Sequence, residues 1–145
     1  NTLKVTCFSF TEIAKHANQI MNDNGSLLTL SFYGSNKVMP NYNVMGIAKA
    51  ALETSVKYLS VDLGSRGIRV NAISAGPMRT LAGAAIANAR NVYNYTSLNS
   101  PLKRNIELEE IGNSALYLIS DLSKAVTGEI HYVDCGFNII GMPKS

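Results

Sequence analysis

Residues 40–54 read Pro40-Asn41-Tyr42-Asn43-Val44-Met45-Gly46-Ile47-Ala48-Lys49-Ala50-Ala51-Leu52-Glu53-Thr54. A proline, a tyrosine between two asparagines and then an alanine-rich run predict a helix that begins at about Tyr42. Tyr42 and Lys49 are seven residues apart, close to two helical turns, so a helix places both on one face. A phenol beside an ammonium can do proton chemistry. The cation favours the phenolate and equips the tyrosine to stabilise or protonate a developing oxyanion. Taken alone, a Tyr and a Lys at this spacing are ordinary helix residues, and the neighbouring segments have to decide between the two readings.

Working outward, Ser26-Leu27-Leu28-Thr29-Leu30-Ser31-Phe32 is an apolar run of strand length that follows the turn signal Asn22-Asp23-Asn24-Gly25. The predicted helix continues to Leu63 and stops at Gly64-Ser65-Arg66-Gly67. A second strand-like run, Ile68 to Ser74, is broken by Ala75-Gly76-Pro77. Strand, helix and strand in this order predict a parallel βαβ unit with a right-handed crossover, and hence an α/β, Rossmann-like parallel sheet with flanking helices. Ligands bind such sheets at the carboxyl ends of the strands, here Ser31 to Gly34 and Ala75 to Leu81.

The rest of the chain adds a helix over Phe8 to Asn22, with Phe8, Phe10, Ile13, Ala14, Ala17, Ile20 and Met21 as its apolar positions. Residues 81–96 are rich in small side chains, a segment that packs closely on a ligand or moves, or else a plain alanine helix. Glu107, Glu109 and Glu110 favour a helix start, with Ile111, Ala115, Leu118 and Leu122 as its apolar face. A last strand spans Glu129 to Asp134, and the apolar tail Gly136 to Gly141, with no helix of its own, suits packing on another subunit or an upstream segment. His16 and His131 have no partner at ligand spacing and receive no chemistry. The expectation is three strands and three or four helices.

A chain of 145 residues, 46% hydrophobic and 16% charged, has the length of one domain with a core. A formal charge of +3 with no basic run argues against nucleic acid or an anionic membrane surface. Cys7 and Cys135 form no metal-ligand spacing and read as reduced, structural thiols of a cytoplasmic protein. No apolar stretch approaches the roughly 20 residues that span a bilayer. A dinucleotide-binding domain carries G-x-G-x-x-G after its first strand, and this chain has no G-x-G. Together with the start at Asn1, this predicts that residues 1–145 are a partial Rossmann-type domain whose glycine-rich cofactor-binding half lies upstream. One sheet face and one edge of such a piece stay uncovered, and by itself it is poorly soluble.

Three stretches carry a resemblance: Ser26 to Ser31, Met39 to Glu53, and Arg69-Val70-Asn71-Ala72-Ile73-Ser74-Ala75-Gly76-Pro77-Met78-Arg79-Thr80-Leu81-Ala82. They closely resemble the bacterial NADH-dependent enoyl-acyl-carrier-protein reductases, members of the extended short-chain dehydrogenase/reductase superfamily, over about residues 8–138. Six residues separate Tyr42 from Lys49, where ordinary superfamily members have three. Tyr33 and Lys37 have the ordinary spacing, but Gly34, Ser35 and Asn36 between them and Pro40 beyond make that segment a poor helix. The resemblance implies reduction of a trans-2-enoyl thioester on acyl carrier protein with NADH, in bacterial type II fatty acid synthesis, by a homotetramer. It assigns Tyr42 to the thioester oxygen and Lys49 to the nicotinamide ribose. Cofactor contacts fall to Pro77, Met78, Thr80, Leu81 and Ala82, and the acyl channel to Met45, Ala82 and Ile86, with residues 81–96 as a lid. Two positions depart from the family: Phe32 stands where it usually has a second tyrosine, and Cys135 where it tends to have glycine. Strand alternation sends Tyr33 to the face opposite Phe32. A carbonyl reductase of the same fold, or a non-catalytic oligomerising piece, are the alternatives.

Overall fold

The apolar runs on either side of the predicted helix become strands β1 (Ser26–Ser31) and β2 (Arg69–Ala75). They pair parallel, from Ser26 opposite Arg69 to Ser31 opposite Ser74, and β3 (Ile130–Val133) pairs parallel on the far side of β2. In the computed structural model, which describes residues 1–78 and 89–142, the order β1-β2-β3 makes β2 central and buries every one of its residues. The helices are α1 (Ser9–Ile20), α2 (Asn43–Gly64), α3 (Ala89–Asn99) and α4 (Leu108–Ile119). The parallel sheet with flanking helices is the one predicted.

Strand alternation sorts the side chains into two cores. On one face Val56 and Leu63 of α2 pack with Val70 and Ala72, joined by Leu27, Ile130 and, from the α1 region, Phe10 and Met21. On the other, Ile111 and Leu118 of α4 pack with Ile73 and Ala75, joined by Leu28 and Val133. Each fully buried aliphatic side chain, such as Val56 or Leu118, contributes roughly 1.5–3 kcal/mol. The α4 start carries a capping box: the Glu107 side chain accepts from the Glu110 backbone, and Glu110 accepts from the Glu107 N–H at 2.8 Å.

Buried Arg69 locks α4 to the sheet. Its guanidinium donates to the carbonyls of Leu118 (2.7 Å), Ser120 (3.1 Å) and Val126 (3.4 Å) and to the Ser123 hydroxyl (2.8 Å). These acceptors lie at and just beyond the carboxyl end of α4, where a cation meets the negative end of the helix dipole.

Several expectations change. The first helix is preceded by a π-helical turn, Lys4–Phe8, and only Ala14 of α1 is buried. Phe8, Ile13 and Ile20 point outward at 59%, 61% and 86% exposure, because α1 touches the sheet side through its small residues and Phe10. Leu122 falls in a 3-10 turn beyond α4 and is exposed. Of its two expected partners, the tail packs on the second, an upstream segment. Its 3-10 turn Phe137–Ile139 buries Phe137 edge-on against Tyr33 (5.3 Å) and Tyr95 (6.0 Å) of this same chain. Cys135 has φ 57°, which explains why glycine suits that position. Cys7 and Cys135 are both buried and unbridged.

Replacing Arg69 with Ala in the intact protein removes four hydrogen bonds at the end of α4, although Ser26, Asn71 and Ser123 still donate to the three carbonyls, and lowers unfolding stability by about 1–3 kcal/mol in denaturant titration. The outer edge of β1 has no strand partner among the described residues, and Leu30 on it is 50% exposed. Residues 1–145 expressed alone therefore self-associate, and light scattering that instead reports a stable monomer contradicts this reading of the edge.

Candidate functional site

The face of the sheet under α2 changes character along its length. Pairs near the amino ends are apolar, Leu27 beside Val70, while the row at the carboxyl ends is Ser31, Ser74 and Tyr132 side by side. Above that row passes the start of α2. Its regular backbone begins at Asn43, so Tyr42 stands at the N-cap instead of inside the helix. The two asparagines flanking it take φ 63° and 40°, left-handed values that asparagine tolerates better than most residues.

Contacts then decide where the Tyr42 ring goes. Phe32 meets it edge-on at 5.1 Å between ring centroids. A Cβ added at Gly34 would lie 2.7 Å from the ring, and one added at Gly46 would lie 3.4 Å from it and 2.8 Å from the Gly34 carbonyl oxygen. Two glycines therefore let the turn after β1 close on α2 with the phenol lodged beside both. Gly46, Lys49 and Glu53, at spacings of three and four, form one stripe of α2, and Tyr42 joins it by these contacts.

Lys49 is half-buried and its ammonium donates to the Leu30 carbonyl of β1 at 2.7 Å. Burial pulls its pKa down, and the Glu53 carboxylate partly opposes this. The Tyr42 hydroxyl donates to no described residue, and its pKa is pushed up to about 12, first by burial and then by the Glu53 charge. This corrects the expectation of a cation-favoured phenolate. Burial and the Glu53 anion both disfavour the phenolate, so the phenol acts as a hydrogen-bond donor.

Glu53 is the residue that the pattern of the sequence did not single out. Its Oε1 accepts from the hydroxyls of Ser31 (2.5 Å) and Ser35 (2.6 Å), and its Oε2 from the Asn36 amide (3.2 Å), which also donates to the Tyr132 hydroxyl at 2.9 Å. The available signal was a carboxylate one turn after Lys49, between Leu52 and Val56 at core spacing. The Ser74 hydroxyl, in the same row, is fully buried with no partner among the described residues.

The other assigned positions scatter. A groove of about 320 Å³ runs past Tyr42 between the 34–39 loop and the α2 positions Asn43, Gly46, Ile47 and Ala50. Met45 is not among its walls: it lies 37% exposed, and its sulfur accepts from the Thr6 hydroxyl at 3.7 Å. Pro77 is half-buried, and Met78 packs on the α4-side core, across the sheet from Tyr42. The groove does not extend to the Gly76-Pro77 bend. Thr80, Leu81, Ala82 and Ile86, with most of the expected lid, lie outside the described residues. Tyr33 and Lys37 do not form a rival pair. Tyr33 opens a single 3-10 turn, Tyr33–Ser35, and its hydroxyl donates to the Met39 sulfur, while Lys37 is exposed. Its ring meets that of Phe32 at 5.3 Å, so alternation does not separate the two, because the strand has already ended at Ser31. Among the described residues no group of three His, Cys, Asp or Glu could hold a metal ion, and no helix is long and apolar enough to cross a membrane.

A model of the family described as enoyl-(acyl carrier protein) reductase matches residues 1–138. The chain is similar to enoyl-acyl-carrier-protein reductase (NADH) 2 of Rhizobium meliloti, 64% identical over 142 residues that make up 98% of this chain and 53% of that protein. It is 57% identical over 144 residues to the NADH enzyme FabI of Rickettsia typhi, covering 99% of this chain and 55% of that one. Among solved structures it superposes on the reductase of Anaplasma phagocytophilum in complex with NAD, with a TM-score of 0.91 and 55% identity, covering 97% of this chain and 53% of that one. FabI from Candidatus Liberibacter asiaticus gives 0.92 and 60%, covering 96% and 54%. The chain spans about half the length of the curated relatives it matches.

Alanine is the better helix former by up to about 1 kcal/mol, yet Gly46→Ala drives a methyl into the Gly34 carbonyl. It destabilises the intact protein by about 1–3 kcal/mol in thermal melts. In ultraviolet titration, the difference between wild type and Tyr42→Phe rises near pH 12 instead of near 10. Because the folded pKa is raised, this tyrosine's contribution to stability is intact below the unfolded pKa and is lost as pH climbs from about 10 to about 12.

Proposed function

This chain belongs to the enoyl-(acyl carrier protein) reductase family, and from that membership and the site geometry we propose that it is the carboxyl-terminal half of a Rossmann-type reductase domain. The whole domain reduces trans-2-enoyl-acyl-carrier-protein to acyl-acyl-carrier-protein with NADH in bacterial type II fatty acid synthesis. The observation that carries the proposal is a half-buried, protonated phenol with a free donor, on the same stripe of α2 as a half-buried ammonium, at the carboxyl end of a parallel sheet.

The donor set fits a nicotinamide nucleoside. An ammonium has three N–H donors, and Lys49 uses one on Leu30, which leaves two for the hydroxyls of a ribose. NADH, when bound, would supply the hydride for C3 of the enoyl group, and a proton drawn from solvent at C2 would complete the saturated thioester. The chain's own residues handle the charge. As electron density moves to the thioester oxygen, the Tyr42 hydroxyl donates a hydrogen bond to it, and a donor already aimed there needs no reorganisation. The phenol carries its proton at neutral pH, with a pKa raised first by burial and then by the Glu53 charge. By family resemblance alone, Pro77, Met78, Thr80, Leu81 and Ala82 would hold the cofactor and Ala82, Ile86 and Met45 the acyl chain; Met45 lies off the groove beside Tyr42.

The intact enzyme works as a cytoplasmic homotetramer. Exposed apolar side chains on the outer faces of α1 and α2, among them Ile13, Ile47, Tyr58 and Val61, support association, and two unbridged cysteines suit a reducing compartment.

In the intact enzyme, Tyr42→Phe lowers kcat for a crotonyl thioester with NADH on the order of a hundredfold or more, and an unchanged rate removes Tyr42 from the chemistry. Lys49→Ala raises the NADH dissociation constant in fluorescence titration, while unaltered binding takes Lys49 off the ribose.

A further inference from the structure

Glu53 is 7% exposed on the sheet side of α2, where a carboxylate is costly unless its lone pairs are satisfied. No described cation lies within salt-bridge distance of it, and Lys49, one turn earlier, is engaged with Leu30 instead. Its acceptors go to neutral donors whose place in the chain is informative. The two hydroxyls on Oε1 belong to Ser31 and Ser35, which bracket the turn Phe32-Tyr33-Gly34. The Asn36 amide on Oε2 carries the tie onward to Tyr132 of β3. The bracketed residues Phe32 and Gly34 are the ones that wall in the Tyr42 ring.

We propose that Glu53 is the positioning residue of this site: by fastening both ends of the 32–34 turn to α2, it sets the wall that holds the Tyr42 ring and so directs the Tyr42 hydroxyl. The proposal rests on the reading of Tyr42 as the hydrogen-bond donor to the thioester oxygen. One oxygen that pins residues 31 and 35 leaves the three residues between them little freedom to drift. A displacement of about 1 Å in a donor is enough to cost a large factor in rate. The charge has a second effect, since an anion opposes ionisation of the phenol. The other titratable groups around the phenol are Lys49 on α2, Tyr33 in the turn and Lys37 on the groove wall, with Tyr132 of β3 facing Glu53.

The test is Glu53→Gln in the intact enzyme. Glutamine keeps the volume and can accept from both serines, but it sets an NH2 against the Asn36 amide and removes the charge. The expected result is a kcat lower by roughly tenfold to a hundredfold with the KM for NADH within about twofold. The alkaline limb of the pH profile of kcat/KM moves to lower pH, because the anion that opposed Tyr42 ionisation is gone. Wild-type kcat with an unmoved limb overturns the proposal. So does a joint loss of kcat, NADH affinity and melting temperature with the limb in place, which marks a purely structural residue. If Glu53→Gln does not fold, the double variant Ser35→Ala, Asn36→Ala frees the outer end of the turn and leaves the Ser31 bond intact. It then lowers kcat severalfold at unchanged KM for NADH, and wild-type kcat in it overturns the proposal. Tyr42→Phe assayed alongside separates the two readings. Full turnover there rejects the donor assignment itself, whereas an inactive Tyr42→Phe with an unaffected Glu53→Gln rejects only the positioning role.

Discussion

The close approach of α2 to the carboxyl end of β1 is the constraint on which the rest of the site depends. It is permitted sterically by Gly34 and Gly46, which leave no room for a methyl between turn and helix. It is held electrostatically by Glu53, whose carboxylate gathers the hydroxyls of Ser31 and Ser35. Without the glycines the two elements stand apart, and without the carboxylate the hydroxyls of Ser31 and Ser35 lose their acceptor on α2. The Tyr42 phenol sits where both conditions meet.

Stability and chemistry are separated along the sheet. At the amino ends of the strands, α2 covers Leu27, Val70 and Ala72, and the contact is apolar on both sides. On the other face, Arg69 gathers the carbonyls at the end of α4, and the central strand is buried throughout. These parts make a rigid floor. The hydroxyls of Ser31, Ser74 and Tyr132 are confined to the last row, as expected for a parallel sheet that binds at its carboxyl edge.

Half-burial tunes the two reactive groups in opposite directions, each toward its neutral form. The Tyr42 pKa is raised and that of Lys49 is lowered, with desolvation the leading cause in both. A neutral phenol is the form that can donate to an oxygen gaining charge, so the environment favours donation over nucleophilic or basic chemistry. The carbonyl of Leu30 gives the ammonium a polar partner on the same strand end that bears Ser31.

Much of this was legible in the sequence. The apolar runs at Ser26 and Arg69, the long alanine-rich helix between them and the Glu107–Glu110 box are local patterns, set by propensity and by spacing along the chain. The Tyr42 and Lys49 spacing also pointed to one face, although Tyr42 reaches it from the N-cap. Other features depend on what packs against what, which no local pattern encodes. Phe8 and Ile13 have the spacing of buried residues but face outward, and Phe137, in a tail with no periodicity, is buried between two tyrosines of its own chain. Glu53 looked like a helix residue of no special note. Only the pairing of β1 with β2 and the fold-back of residues 31–36 bring its donors, 17 to 22 residues earlier in the chain, to its oxygens. The sequence by itself determined which segments could be helix and strand and which side chains could do proton chemistry. The tertiary structure decided that the phenol's pKa lies above its ordinary value and not below it, because burial and the charge of Glu53 act through space.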